Sequence, residues 1–116
     1  MTQLTPRLWL TALLAVTSSA ALAADCTFTT ECFDAEGCAE TEFKAALVEN
    51  ADGGARLVTD AQNISLSQGG SADLRVYFGL TPSSIHLLSV SEAGPARYTT
   101  HIFDGPIMVN YVGVCE

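Results

Sequence analysis

The four cysteines constrain this chain more than any other feature. Three of them, Cys26, Cys32 and Cys38, fall within the stretch DCTFTTECFDAEGCAETEF (residues 25–43), and Cys115 is the penultimate residue. The same stretch carries six acidic residues and no basic one. Small exported domains commonly use paired cysteines to stabilise a modest core, so the spacing predicts two disulfides and an oxidising location.

Four cysteines allow three pairings, and chain geometry ranks them. If residues 26–32 form a strand, the Cα atoms of Cys26 and Cys32 lie about 20 Å apart, well beyond the reach of about 7 Å that a disulfide allows. Cys32 and Cys38 flank a five-residue turn in which Gly37 can take a positive φ. We therefore predict the pairs Cys32–Cys38 and Cys26–Cys115. Zinc ligation is the alternative, although gaps of five residues are unlike those of structural zinc sites.

The hairpin implied by the Cys32–Cys38 pair conflicts with the side-chain pattern. A regular register places Phe28 opposite Glu42 and Thr30 opposite Glu40, which mixes apolar and charged groups on one face. An extra residue in one strand restores the alternation. We expect such a bulge at Cys38 or Ala39.

Residues 1–23 have the pattern of a secretory signal peptide. Arg7 gives a positive start, residues 8–16 (LWLTALLAV) are apolar, and Ala21-Leu22-Ala23 supplies a cleavage site. The apolar run is too short to cross a bilayer, so no membrane span is expected after cleavage. We predict a single β-domain over residues 24–116 that is periplasmic or secreted. A lipoprotein is the alternative, but Asp25 stands where a small residue should precede the lipidated cysteine.

The domain over residues 24–116 is strongly acidic. Its four basic residues, against all thirteen acidic residues of the chain, give a formal charge of −9. This charge repels nucleic acid and anionic membranes and attracts cationic surfaces. We expect no nucleic-acid partner and regard a cationic protein as the predicted partner. The oligomeric state is left open.

Turn signals and period-two patterns divide the domain into short strands. The clearest alternation runs from Ala72 to Leu80, and it predicts a buried face formed by Ala72, Leu74, Val76, Phe78 and Leu80. No segment has a long helical period. The sequence therefore predicts an all-β fold, a small disulfide-tied antiparallel sandwich or barrel of about seven to eight short strands.

Few residues suggest chemistry. His86 and His101 fall in predicted strands, where each is expected to face water, and their spacing does not require a metal. Ser83 and Ser84 lie near His86 in sequence, but on a turn and a following strand they need not converge with it into a nucleophile and base. We predict no catalytic residue, no metal and no cofactor. A calcium site at Asp34 and Glu36 and a small envelope hydrolase are kept as alternatives.

Two resemblances add to this interpretation. The head CTFTTECF and the tail YVGVCE resemble those of small uncharacterised exported proteins of alphaproteobacteria, a likeness that implies no activity. A second segment is similar to the Ser-x-Ser-Gly-x-x-Tyr-like element of the periplasmic inhibitors of chicken-type lysozyme, which are disulfide-tied β-barrels. Its residues here are Ser89, Val90, Ser91, Gly94, Arg97 and Tyr98. Phe103-Asp104-Gly105 stands where those inhibitors carry Trp-x-Lys-Gly.

The combined prediction is a non-catalytic exported binding protein, with a lysozyme-inhibitor-like protein as the alternative. The contact is expected on the acidic hairpin over residues 31–42 or on the turn over residues 91–98. The candidate partner-binding residues are Glu36, Glu40, Glu42, Arg97 and Tyr98.

Overall fold

A computed structural model describes residues 3, 11, 12 and 23–116 of the protein. Residues 23–116 form eight antiparallel strands that close into a barrel, with no helix among the described residues. The strands are β1 (Ala23–Phe33), β2 (Cys38–Glu49), β3 (Ala55–Val58), β4 (Asn63–Gly70), β5 (Leu74–Leu80), β6 (Ser84–Ser91), β7 (Pro95–Ile102) and β8 (Ile107–Cys115). The predicted all-β class is confirmed, and of the two predicted architectures the protein adopts the barrel.

The strands follow one another around the barrel in sequence order, and β1 pairs with β8 to close it. The turns after β1, β3, β5 and β7 therefore lie at one end, which we call the open end. The turns after β2, β4 and β6 lie at the other end, which we call the closed end, together with the beginning of β1 and the end of β8. There the backbones of Asp25 and Glu116 exchange two hydrogen bonds, of 2.8 and 2.9 Å.

Both predicted disulfides are confirmed, and each joins residues that face each other in register. Cys26–Cys115 crosses the seam between β1 and β8 at a sequence separation of 89. Cys32–Cys38 closes the hairpin between β1 and β2, where Gly37 has the positive φ, 89°, that the turn requires. The two bonds are compatible with an oxidising, exported environment.

The predicted bulge position is wrong, although the predicted conflict is resolved by a bulge. Pairing is regular from Cys32–Cys38 through Thr30–Glu40, and the register shifts between Phe28 and Thr30. The shift sets Phe28 opposite Phe43 instead of Glu42, so two apolar rings meet on the inner face. It also changes which residues of β1 point inward. Glu31 and Phe33, rather than Thr30 and Cys32, continue the inner face beyond Phe28.

The core occupies the closed half and the middle of the barrel. Its members alternate with outward-facing residues along every strand, as expected where one face of a sheet is buried. They are Cys26, Phe28, Ala45, Leu47, Ala55, Leu57, Ile64, Leu66, Tyr77, Leu88, Val90, Ala96, Tyr98 and Cys115. An inward-facing polar group completes this half: Glu49 accepts hydrogen bonds from the Tyr77 hydroxyl (2.5 Å) and from Arg75 (3.1 Å).

The orientation predicted for β5 is wrong, although its alternation is correct. Tyr77 is fully buried, whereas Leu74, Phe78 and Leu80 are 50%, 50% and 72% exposed. The inner position at Gly79 explains the inversion, because a Cβ atom there would lie 2.4 Å from the carbonyl oxygen of Ser65. The barrel wall thus accepts glycine at this inner position, and the leucines and phenylalanine of β5 face outward.

The predicted signal peptide, residues 1–23, lies outside the described residues except at residues 3, 11, 12 and 23. Within the described part of the chain, no helix has the length and apolar character needed to cross a membrane.

Candidate functional site

A cavity of about 400 Å³ lies inside the open end of the barrel. Eight-stranded barrels are just wide enough to be filled by side chains or to hold one small ligand. This barrel does both, since the closed half is packed and the open half is not. The cavity is lined by Glu31, Phe33, Phe43, Thr59, Ala61, Gln62, Ile64, Ser83, Ser84, His86, Tyr98, Thr100, Ile102, Val109 and Tyr111.

Four aromatic side chains form a connected cluster at the base and wall of the cavity. The rings of Phe43 and Tyr111 stack with centroids 4.8 Å apart, and Tyr98 stacks on Tyr111 at 5.5 Å. Phe28 lies against all three at 5.9 to 6.0 Å. Phe28 and Tyr98 are buried, whereas Phe43 and Tyr111 are partly exposed and present the aromatic surface that a ligand can reach.

Glu31 places a carboxylate in the wall of this cavity. It lies directly opposite Tyr111 in the pairing of β1 with β8. Burial, and then the charge of Glu31, raises the pKa of Tyr111 to about 12. Tyr111 is therefore a neutral hydroxyl at physiological pH, beside the side chain of Glu31.

A chain of hydrogen bonds joins Tyr98, a member of this aromatic cluster, to residues of β6 and of the turn before it. The Ser84 hydroxyl lies 2.8 Å from Thr81 Oγ1 and 2.8 Å from His86 Nε2, and His86 Nδ1 lies 2.5 Å from the Tyr98 hydroxyl. Ser84 and His86, whose convergence the sequence does not require, are thus in hydrogen-bond contact. Residues two apart on a strand share a face, and here that face is the barrel interior.

The two histidines have different environments. His101 is exposed on the outside of β7, as predicted, but His86 is only 3% exposed and its prediction was wrong. Burial lowers the pKa of His86 below 6.5, so the imidazole is neutral at pH 7. Burial also raises the pKa of Tyr98 to about 12. The partner of His86 Nδ1 is thus a neutral hydroxyl rather than a carboxylate, and it gives little support to an imidazolium.

His86 gives the protein a pH-dependent stability that can be measured. As pH falls below about 6.5, His86 takes up a proton in the unfolded chain but not yet in the folded protein, where burial lowers its pKa. The contribution of neutral His86 to the unfolding free energy is therefore complete above this pH and is lost as pH falls toward the lowered pKa of the folded state. The slope is at most about 1.4 kcal/mol per pH unit. We expect His86→Gln to flatten the fall in unfolding free energy between pH 7 and pH 5 in denaturant titrations. His101→Gln is the matched control, and an equal flattening in both variants would contradict this assignment.

The structure distributes the predicted partner-binding residues over different surfaces. Glu36, Glu40 and Glu42 are exposed on the hairpin beside the open end, with Glu42 3.3 Å from Lys44. Arg97 is exposed on β7 toward the closed end. Tyr98 is 4% exposed and points into the barrel, so it cannot anchor a partner on the outer surface. Glu31, Phe43 and Tyr111, which line the cavity, were not singled out individually from the sequence.

The outer wall of β5 and β6 is apolar. Phe78, Ile85 and Leu87 are each about half exposed there, beside Thr99 and His101. A separate depression of about 560 Å³ along the outside of β1 to β3 is a surface hollow lined by residues such as Thr27, Lys44 and Asp60.

Comparison with known proteins gives no relative: no protein family, curated protein or solved structure matches the chain. Among the described residues, no group of three histidine, cysteine, aspartate or glutamate side chains could hold a metal ion. The geometry of the barrel therefore carries the functional argument.

Proposed function

We propose that this protein is a non-catalytic, exported binding protein that holds one small organic ligand in the open end of its barrel. The observation that carries the proposal is the cavity of about 400 Å³, which is lined by an aromatic cluster and by a chain of hydrogen-bonding groups that adjoins it at Tyr98. Small-molecule sites are typically concave, largely apolar and equipped with a few polar groups. The cavity has each of these properties.

The walls of the site are held in place before any ligand arrives. The ring stacks fix Phe43 and Tyr111 against the buried Phe28, and the hydrogen-bond chain fixes His86 and Tyr98. A preformed site avoids the entropic cost of ordering side chains on binding. This rigidity supports a role in retention of a ligand.

Binding is favoured over hydrolysis, the rival function for a site that holds a serine next to a histidine. A serine nucleophile needs a base that accepts its proton and a group that stabilises the resulting charge. Burial weakens His86 as a base, and the neutral hydroxyl of Tyr98 stands where a carboxylate would be required. The chain from Thr81 to Tyr98 fits better as a wall of donors and acceptors.

The location of the protein is part of the proposal. An exported domain would meet its ligand in a periplasm or outside the cell, where the two disulfides are stable.

A tryptophan reporter tests the proposed site. The domain over residues 24–116 has no tryptophan, because Trp9 is the one in the chain. Gln62 is exposed in the turn after β3 and lines the cavity, so Gln62→Trp places an indole at its rim. Ala93→Trp, in the exposed turn after β6, places the same group at the closed end. We expect a screen of small organic compounds to change the emission of the first variant and not of the second.

The outcome of this screen decides between the proposals. Saturable changes confined to Gln62→Trp, with a ligand-dependent rise in melting temperature of the unsubstituted protein, are the expected result. Equal responses at both ends would indicate non-specific adsorption and reject the cavity as the site. Release of product from ester substrates, abolished by Ser84→Ala, would reject the non-catalytic assignment.

A cationic protein is the second candidate partner, and the exposed carboxylates of Glu36, Glu40 and Glu42 favour it. They would accelerate association with a basic surface, an effect that salt screens. A basic lysozyme is the first such protein to test, in line with the resemblance to lysozyme inhibitors. If the triple glutamine variant leaves both the association rate and its salt dependence unchanged, this candidate is rejected.

A further inference from the structure

We infer that the ligand of the open-end cavity carries a cationic group, an ammonium or guanidinium joined to an apolar or aromatic body, and that Glu31 pairs with this group. The inference rests on the proposed function, since it specifies the ligand of the same site. It depends on the position of one carboxylate, the rings beside it and the distribution of charge over the two ends of the barrel.

Glu31 supplies the formal charge of the cavity wall. The other described residues that line the cavity are apolar, hydroxyl-bearing or amide side chains, together with His86, whose pKa is lowered by burial. Glu31 is therefore the one acidic side chain among the described residues of the cavity lining. A buried or half-buried charge interacts strongly with an opposite charge brought beside it, because little water screens the pair.

The register shift in β1 is what gives Glu31 this position. Without the shift, inward alternation from Phe28 would continue to Thr30 and Cys32, and Glu31 would face solvent. With the shift, Glu31 faces inward across from Tyr111. An irregularity that turns a carboxylate into an otherwise uncharged cavity has a cost in desolvation, which a cationic ligand would offset.

The aromatic surface suits the same ligand. A cation near the face of a tyrosine or phenylalanine ring is attracted by the ring quadrupole. Phe43 and Tyr111 are the partly exposed rings of the cluster, and Tyr111 adjoins Glu31. An ammonium group held between the Glu31 carboxylate and these rings would leave its apolar substituent against Ile64 and Val109, which also line the cavity.

The charge distribution over the molecule points in the same direction. The turns at the open end and the adjoining hairpin carry Asp34, Glu36, Asp60 and Asp104. The closed end also carries acidic residues, but the three arginines of the domain lie near it, close to where β3, β5 and β7 begin, and partly offset them. The arginines are Arg56, Arg75 and Arg97, and the acidic residues are Asp25, Asp52, Asp73, Glu92 and Glu116. The field at the cavity mouth is therefore negative and draws cations toward it.

Three small probes of similar shape and different charge test the inference: 2-phenylethylamine, 2-phenylethanol and phenylacetate. The amine is protonated at pH 7, the alcohol is neutral and the acid is anionic. We would titrate each into isotopically labelled protein at low salt and follow amide chemical shifts. We expect the amine to bind about tenfold more tightly than the alcohol, with shifts at Glu31, Phe43 and Tyr111, and the anion to bind most weakly.

Glu31→Gln and Glu36→Gln form a matched pair for this experiment. Both remove one negative charge from the same hairpin, but Glu36 is exposed in the turn and does not line the cavity. Glu31→Gln should erase most of the preference for the amine over the alcohol, and Glu36→Gln should change it less than twofold. The comparison of probes on the unsubstituted protein gives the answer even if Glu31→Gln fails to fold.

Failure of this inference is distinguishable from failure of the proposed function. Equal binding of amine and alcohol in the cavity, or equal effects of the two glutamine variants, would overturn the cationic ligand and leave the cavity as a binding site. Amine-induced shifts confined to the exposed hairpin would also overturn it. If none of the three probes shifts the amide signals of the cavity residues, and no compound of the wider screen changes the emission of Gln62→Trp, the proposed function itself is rejected.

Discussion

Replacing Cys26 and Cys115 together by alanine is expected to lower the unfolding free energy by about 4.6 kcal/mol, the largest loss of any change considered. The bond crosses the seam where the first and last strands meet, at a sequence separation of 89. In the chain-entropy account, a disulfide lowers the conformational entropy of the unfolded chain, and the resulting stabilisation grows with the logarithm of the number of residues in the loop that it closes. Denaturant titration of the variant and the parent protein measures the difference. For an ordinary domain stability of about 5–15 kcal/mol, a loss of this size would leave a large unfolded population at the lower end of the range.

The second disulfide provides the comparison. Cys32–Cys38 has a sequence separation of 6, and the same account assigns its removal by a double alanine substitution a loss of about 2.4 kcal/mol. The Cys26–Cys115 sulfurs also belong to residues that are 1% and 7% exposed, so their removal disturbs packing as well. An equal or larger loss for the hairpin disulfide would mean that the seam is held by its backbone pairing and not by the covalent bond.

Phe28→Ala is expected to cost about 4 kcal/mol, the second largest loss. Phe28 is fully buried, and its ring lies within 6.0 Å of the ring centroids of Phe43, Tyr98 and Tyr111. Truncating a buried phenylalanine removes its transfer free energy and leaves a cavity that the neighbours fill only in part. The same variant should weaken ligand binding at the open end, since Phe43 and Tyr111 lose the ring that positions them.

Phe78→Ala is the matched control, because Phe78 is half exposed on the outer wall of β5. We expect it to cost less than about 1.5 kcal/mol and to leave ligand binding unchanged. Thermal and denaturant unfolding of both variants, with the reporter titration at the open end, gives the two readouts. Comparable losses in the two variants would indicate that the apolar outer wall contributes to stability as much as the core does.

The disulfides and the strands could be predicted because they follow from local geometry. The distance between Cys26 and Cys32 along a strand excludes their pairing whatever the rest of the chain does, and this leaves few alternatives. Similarly, the turns are marked by residues such as Gly37 and Gly53, whose φ angles of 89° and 90° other residues rarely adopt. Such signals depend on a few neighbouring residues and not on tertiary context.

Alternation divides the residues of a strand into two faces, but it does not show which of the two faces the barrel interior. In β5 the more apolar phase faces outward, because the inner phase contains a tyrosine whose hydroxyl reaches Glu49, 28 residues earlier, and a glycine that accommodates β4. Neither contact is visible from the segment alone. Tyr98 is a second case: the turn before it is marked by Gly94 and Pro95, which makes it a candidate partner contact, but the segment alone does not show that its side chain points inward.

The polar residues of the cavity are visible in the sequence, but their role depends on whether their strand turns them inward or outward. Ser84 and His86 are two residues apart in a strand and therefore had to share a face, but only an inward orientation makes that face a site. The signal for Glu31 was the predicted conflict in the β1–β2 hairpin. Its correct resolution, a shift between Phe28 and Thr30, depends on pairing with β8 as well as with β2. The β8 partners of these two residues, Gly113 and Val112, lie more than 80 residues further along the chain.

The first and last strands are adjacent at the closed end, so the polypeptide could begin at a different strand while the order of the strands around the barrel stayed the same. Asp25 and Glu116 are already hydrogen bonded, so a short linker between them would span a gap that the fold has closed. New ends could then be opened in the exposed turn at Asp52 and Gly53, also at the closed end. A circular permutant of this design retains every strand pairing and all four turns that surround the cavity. The cavity is thus set by the cyclic arrangement of strands and not by the position at which the polypeptide begins.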